Sequence, residues 1–127
     1  MASFETATIL LVDDDDDTRE LFELFLASRG AKVVTARSGS EATTALDRMK
    51  PDLVVFDVGL PGEDGYTLVR RLRALGHTFP AIALTGHTGA ANRAAALEAG
   101  FDAHLPKPVN LDTLAATIRE LLRTRTA

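Results

Sequence analysis

Short apolar runs alternate with amphipathic stretches along this chain, and the alternation repeats five times. The runs are Thr8 to Val12, Lys32 to Ala36, Leu53 to Phe56, Ala81 to Leu84 and, more weakly, Ala103 to Leu105. Runs this short and apolar suit strands covered on both faces. Parallel strands also need long crossovers, which the stretches between the runs supply, so the pattern predicts βα units on a doubly covered parallel sheet. Thr18 to Arg29 reads as a helix because Leu21, Phe22, Leu24 and Phe25 recur at helical spacing, with Asp17 and Glu20 as a capping box and Gly30 as the stop. Ser38 and Glu41 repeat the box ahead of Ala42, Ala45, Leu46 and Met49, and Pro51 closes that segment. Asn110 is placed to cap a final helix whose Leu111, Leu114, Ala115, Ile118, Leu121 and Leu122 form one apolar stripe ending among arginines. Six alanines between 90 and 99 predict a slim fourth helix that packs weakly.

Two of the apolar runs end in acid. Asp57 follows Leu53 to Phe56, and Asp13 opens five consecutive aspartates after Ile9 to Val12. A carboxylate at the edge of an apolar core costs several kcal/mol unless it is paired or metal-bound, so two such strand ends point to a shared cation. Parallel βα topology puts all five strand C-termini on one edge, the edge where open α/β sheets bind ligands. Asp13 and Asp14, Asp57, Thr85 and Lys107 then share that edge. Taken singly, Asp57 suits a turn, Thr85 a helix cap and Lys107 solvated surface. The dipole of the following helix accounts for Asp15 to Asp17 but poorly for Asp13. Joint placement makes the five a candidate reaction centre.

Composition narrows the possibilities. The chain has 127 residues, 46% of them hydrophobic, which suits one domain with a core of about 7–124 that buries roughly two thirds of its unfolded surface. The formal charge of −4 becomes +1 once the five aspartates are set aside, so no nucleic-acid-binding surface is expected. Without cysteine there is no disulfide, thiol chemistry or thiolate zinc site, and the three histidines lack a metal-ligand spacing. Met1 to Thr8 does not read as a signal peptide, and no apolar run approaches a membrane span. A cytoplasmic location without membrane contact is the expectation.

The pieces Val12 to Asp15, Phe56 to Gly62 with Asp64 and Gly65, Ala83 to Gly86, and Leu105 to Pro108 stand in order along the chain, and the match they belong to covers the whole of it. Together they resemble the receiver domain of bacterial two-component response regulators. The resemblance implies a flavodoxin-like (βα)5 fold with strand order 2-1-3-4-5. It implies that Asp57 accepts a phosphoryl group, that Asp13, Asp14, Asp57 and the Gly59 backbone carbonyl hold Mg²⁺, and that Thr85 and Lys107 contact the phosphoryl oxygens. Each residue suits its role: a carboxylate nucleophile must stay ionised, which crowded acids permit only beside a dication, and Mg²⁺ prefers hard oxygen ligands.

Where the family often has Tyr or Phe, this chain has His104, a departure from an aromatic rotamer switch coupled to Thr85. Pro106 stiffens the strand end before Lys107, and the family suggests a cis Lys107–Pro108 bond. Gly59 and His87 sit at positions that tune phosphoryl lifetime in the family. The expected function is a phosphorylation-switched signalling module, not a separate enzyme. Its donor would be a sensor or hybrid histidine kinase or a phosphotransfer protein, and its output a protein bound on the face of the fourth helix, fifth strand and fifth helix. The length leaves no room for an output domain, so the chain is expected to act through a partner or to be an excised receiver; the segment 100–105 looks like receivers fused to hybrid kinases. Two rivals rank lower. Asp14, Asp16 and Thr18 nominally fit the motif of haloacid-dehalogenase-type phosphatases, which would leave Asp57 without a role, and a phosphate-independent pseudo-receiver would not need the intact site.

Overall fold

A computed structural model describes residues 7–60, 62–86 and 90–126. Five strands, β1 (Thr8–Val12), β2 (Lys32–Ala36), β3 (Leu53–Asp57), β4 (Ala81–Thr85) and β5 (Ala103–Pro106), form one parallel sheet in the order β2-β1-β3-β4-β5. Helices α1 (Asp16–Ser28), α2 (Gly39–Leu46), α3 (Gly65–Ala74), α4 (Ala90–Ala99) and α5 (Leu111–Thr126) follow the strands in turn. This is the flavodoxin-like (βα)5 arrangement. None of the described helices is long and apolar enough to cross a membrane.

Strand residues point alternately to the two faces, and the core divides accordingly. Leu10, Val12, Val54, Phe56, Ala81 and Ala83 pack with α2, α3 and α4, whereas Ile9, Leu11, Leu53, Val55, Ile82 and Leu84 pack with Phe22 and Leu26 of α1 and Leu114, Ala115 and Ile118 of α5. Central strands β3 and β4 are buried throughout, while the edge strands β2 and β5 are mostly half-buried. That explains why the fifth apolar run is weak: an edge strand has less to bury.

The helix ends are fixed by side chains and glycines. Asp15, rather than Asp17, caps α1: its carboxylate accepts from the Thr18 N–H at 2.8 Å and from the Thr18 hydroxyl at 2.6 Å, so the helix starts earlier than the apolar spacing suggests. Gly30, at φ 95°, closes α1 with its N–H on the Ala27 carbonyl and the Ala31 N–H on the Leu26 carbonyl. Ser38 caps α2 through the Glu41 N–H, but Glu41 reaches back to the Arg37 N–H instead of to Ser38, and the helix ends at Leu46, short of Met49. Asp64 caps α3 through Thr67, and Asn110 caps α5 through Thr113 as expected.

Arg73, near the end of α3, joins three elements. Its guanidinium donates to the carbonyls of Gly100 (2.8 Å), Phe79 (2.6 Å) and His77 (3.2 Å), pairs with Asp102 at 3.2 Å, and lies over the Phe79 ring. Gly100 is at φ 121°, and a Cβ there would stand 2.9 Å from Arg73 Cγ. The turn between α4 and β5 is therefore tied to α3.

Candidate functional site

The strand ends gather the predicted residues at one edge. Asp57 is the last residue of β3 and Thr85 the last of β4, each one position later than the apolar runs end, so both side chains leave from regular strand and are held by the ladder. Asp13 continues β1 by one bond, its N–H donating to the Ala36 carbonyl at 3.0 Å. Because β1 and β3 are neighbours in register, Val12 lies beside Phe56 and their acidic successors meet. Carboxylate oxygens of Asp13, Asp14 and Asp57 lie within 4.8 Å of one another.

The three acids are not equivalent. Asp14 is exposed, whereas Asp13 is 0% and Asp57 5% exposed. Asp57 Oδ1 accepts from the Gly59 N–H at 2.9 Å and pairs with Lys107 Nζ at 3.0 Å. Asp13 Oδ1 accepts from the Asp15 N–H at 2.9 Å, but its other oxygen, Oδ2, is buried with no hydrogen-bond partner. Burial pushes the Asp13 carboxyl up to about 6, reinforced by the charges of Asp57 and Asp14, against the opposing pull of the Asp15 N–H and Lys107. A buried orphan oxygen converging with two more carboxylates is what a hard dication satisfies, so the donor set fits Mg²⁺. Asp15 and Asp16 belong to the helix start instead: hydrogen bonds from Thr18 hold Asp15 below the usual carboxylate range, and Arg19 does the same for Asp16.

Lys107 leaves the end of β5, its N–H bonded to the Thr85 carbonyl at 2.6 Å, with a cis peptide to Pro108. Thr85 is buried, and its hydroxyl oxygen is 2.8 Å from Nε2 of half-buried His104. Gly59 is exposed, and a Cβ built on it would meet Asp57 Oδ1 at 3.5 Å, an ordinary contact, so a side chain there would border the carboxylate directly. His87 lies outside the described residues.

Sequence reasoning passed over Arg19. Its guanidinium turns back from α1 to donate to the Asp13 carbonyl at 3.0 Å and to Asp16, clipping the acidic loop to the helix. The signal was a lone cation one turn into a helix that opens with aspartates. The phosphatase alternative is not favoured by this geometry, because Asp16 is turned to Arg19 and the Thr18 hydroxyl to Asp15, while Asp57 is built into the centre.

Comparison with known proteins agrees with the geometry. The family model described as the response regulator receiver domain matches residues 9–119. An uncharacterized 14.6 kDa protein from Leptolyngbya boryana is 45% identical over 112 residues, covering 87% of this chain and 86% of that protein. The response regulator MprA of Mycobacterium leprae is 43% identical over 91% of this chain, which spans 50% of that protein's length. Among solved structures, a two-component response regulator from Clostridium difficile superimposes with a TM-score of 0.90 at 30% identity, covering 96% of this chain and 100% of the other.

Proposed function

This chain belongs to the response regulator receiver domain family, and from that premise we propose that it is a phospho-accepting switch in two-component signalling, with Asp57 as the acceptor. The observation that carries the reading is Asp57 itself: a nearly buried carboxylate at a strand end, facing two more acids and ion-paired to Lys107. An Asp57 oxygen attacks the phosphorus of a phosphohistidine on a sensor or hybrid histidine kinase or a phosphotransfer protein. The P–N bond breaks, and the leaving imidazole takes a proton from solvent. Such a transfer needs position and charge more than covalent help. Lys107 would turn from the carboxylate toward the transferred group, and Thr85 would donate its hydroxyl proton to a phosphoryl oxygen. Asp13, Asp14, Asp57 and the Gly59 carbonyl would hold Mg²⁺, which supplies positive charge for the transferring oxygens.

The module acts as a switch that is charged and discharged at its own aspartate, without turning over a separate substrate, and a cytoplasmic setting suits its cysteine-free sequence. Its output passes to a protein on the α4, β5 and α5 face, because both Thr85 and Lys107 sit at the roots of those elements. The test is intact-mass measurement after acetyl phosphate and Mg²⁺. One added phosphoryl group in wild type and none in Asp57→Asn is the expected result. Phosphoryl uptake that survives Asp57→Asn and is lost in Asp14→Asn would hand the chemistry to Asp14.

A further inference from the structure

Thr85 and His104 are diagonal neighbours on one face of the sheet: the β4 to β5 register sets Thr85 beside Pro106 and His104 beside Ala83, and Thr85 Oγ1 lies 2.8 Å from His104 Nε2. A threonine hydroxyl has a single proton, and an imidazole nitrogen either carries a proton or accepts one. A phosphoryl oxygen on Asp57 can only accept. If Thr85 gives its proton to that oxygen, the contact with His104 persists only when the proton between Oγ1 and Nε2 belongs to the histidine.

We propose that His104 is a positioning residue for the phosphoryl group, donating its Nε2–H to Thr85 Oγ1, so that the threonine's own proton is not spent on the histidine and can be given to an oxygen of phosphorylated Asp57. This rests on the reading of Asp57 given above and deepens it. Two donors then stand in series, and donation into a hydroxyl oxygen polarises it into a stronger donor. A phenyl ring at 104 would fill much the same space without being able to donate. Thr85 and β5 are, moreover, already linked by a hydrogen bond before the phosphoryl group arrives, so movement of Thr85 toward Asp57 pulls on the edge strand directly, without a ring first having to swing inward.

The test uses the whole chain, with nitrogen-15 NMR of the imidazole rings before and after addition of beryllofluoride, a phosphoryl mimic, with Mg²⁺. His104→Gln identifies the His104 signals among those of the three histidines. In the resting protein Nε2 should carry a proton, and beryllofluoride should move that proton downfield and slow its exchange. His104→Phe should weaken beryllofluoride binding about threefold to tenfold, the worth of one hydrogen bond. His104→Gln, whose amide N–H reaches a similar position, should recover most of that loss, and in a Thr85→Ala background the effect of His104→Phe should vanish. A bare Nε2 in the resting protein, or equal beryllofluoride binding by wild type and His104→Phe, would overturn the donor chain and leave the reading of Asp57 standing. Failure of wild type to bind beryllofluoride, despite a protonated Nε2, would instead bring down the Asp57 reading and the role of His104 with it.

Discussion

Lys107 Nζ and Asp57 Oδ1 stand 3.0 Å apart across the end of the sheet, the lysine side chain 39% and the aspartate side chain 7% exposed. Water screens the lysine end, so the pair contributes modestly to stability and more to holding a cation over a nearly buried carboxylate. Lys107→Ala should lower the stability of the metal-free protein by about 1 kcal/mol. It should slow phosphorylation by acetyl phosphate about tenfold or more, since a charge aimed at the transferring group is lost. Denaturant titration together with time-resolved mass measurement checks both; an unchanged rate would remove Lys107 from the chemistry.

The raised Asp13 carboxyl gives the metal-free protein a distinctive pH profile. Its proton is held up to about 6 in the folded chain against 3.8 ordinarily, so the folded state binds more protons than the unfolded one between those values, and stability falls as pH rises through that window. The full effect is up to about 3 kcal/mol. Asp15, Asp16 and Glu63, all held low, add the opposite slope in more acid solution, so the informative quantity is the difference between wild type and Asp13→Asn. Asn keeps the oxygen that accepts from Asp15 and removes the buried charge. Asp13→Asn should therefore melt higher than wild type at pH 7 in chelator, with the gap closing toward pH 4.

Mg²⁺ should work against that order. A ligand that binds only the folded state stabilises it by mass action, about 1.4 kcal/mol at ten times its dissociation constant. Wild type should rise in melting temperature across a Mg²⁺ titration, Asp14→Ala much less. A flat response in wild type, with phosphorylation proceeding normally in chelator, would eliminate the metal from this site.

Gly65 controls the loop beside Asp57 at close range. Its N–H bonds the Val58 carbonyl at 2.9 Å, and a Cβ on it would lie 2.6 Å from the Val58 Cα, a backbone atom that cannot swing aside. Gly65→Ala should cost about 1 to 3 kcal/mol and displace the segment carrying Gly59. Both denaturation midpoint and Mg²⁺ affinity should fall. Gly62→Ala, at φ 83° with open space around its Cβ position, should lower stability through backbone strain while leaving Gly65 seated against Val58.

Strand positions and their order followed from hydrophobic pattern and resemblance because central strands buried on both faces have no other composition open to them. The five aspartates were harder to phase. Each is an acceptable helix cap, so periodicity could not choose Asp15 over Asp17, nor separate buried Asp13 from exposed Asp14. That distinction arises from the sheet, through the bond from Asp13 to the Ala36 carbonyl on β2. The meeting of Thr85 with His104 likewise depends on the register between two strands that no local pattern sets. Arg19 has two partners, and only its pairing with Asp16 at helical spacing could be read from the sequence; its bond to the Asp13 main-chain carbonyl leaves no trace in composition.

Arg73 has a practical bearing on building chimaeric switches. Receivers are attractive parts to recombine, and α4 with its following turn is an obvious segment to exchange. Here the carbonyl of Gly100 is held by a side chain 27 residues earlier in the chain, and the same guanidinium grips the approach to β4. A graft running from α4 to β5 would cut through this cross-link, leaving Arg73 facing a turn that evolved without it. The unit that can be transplanted therefore begins at α3, upstream of Arg73, and carries Gly100 along with its distant partner.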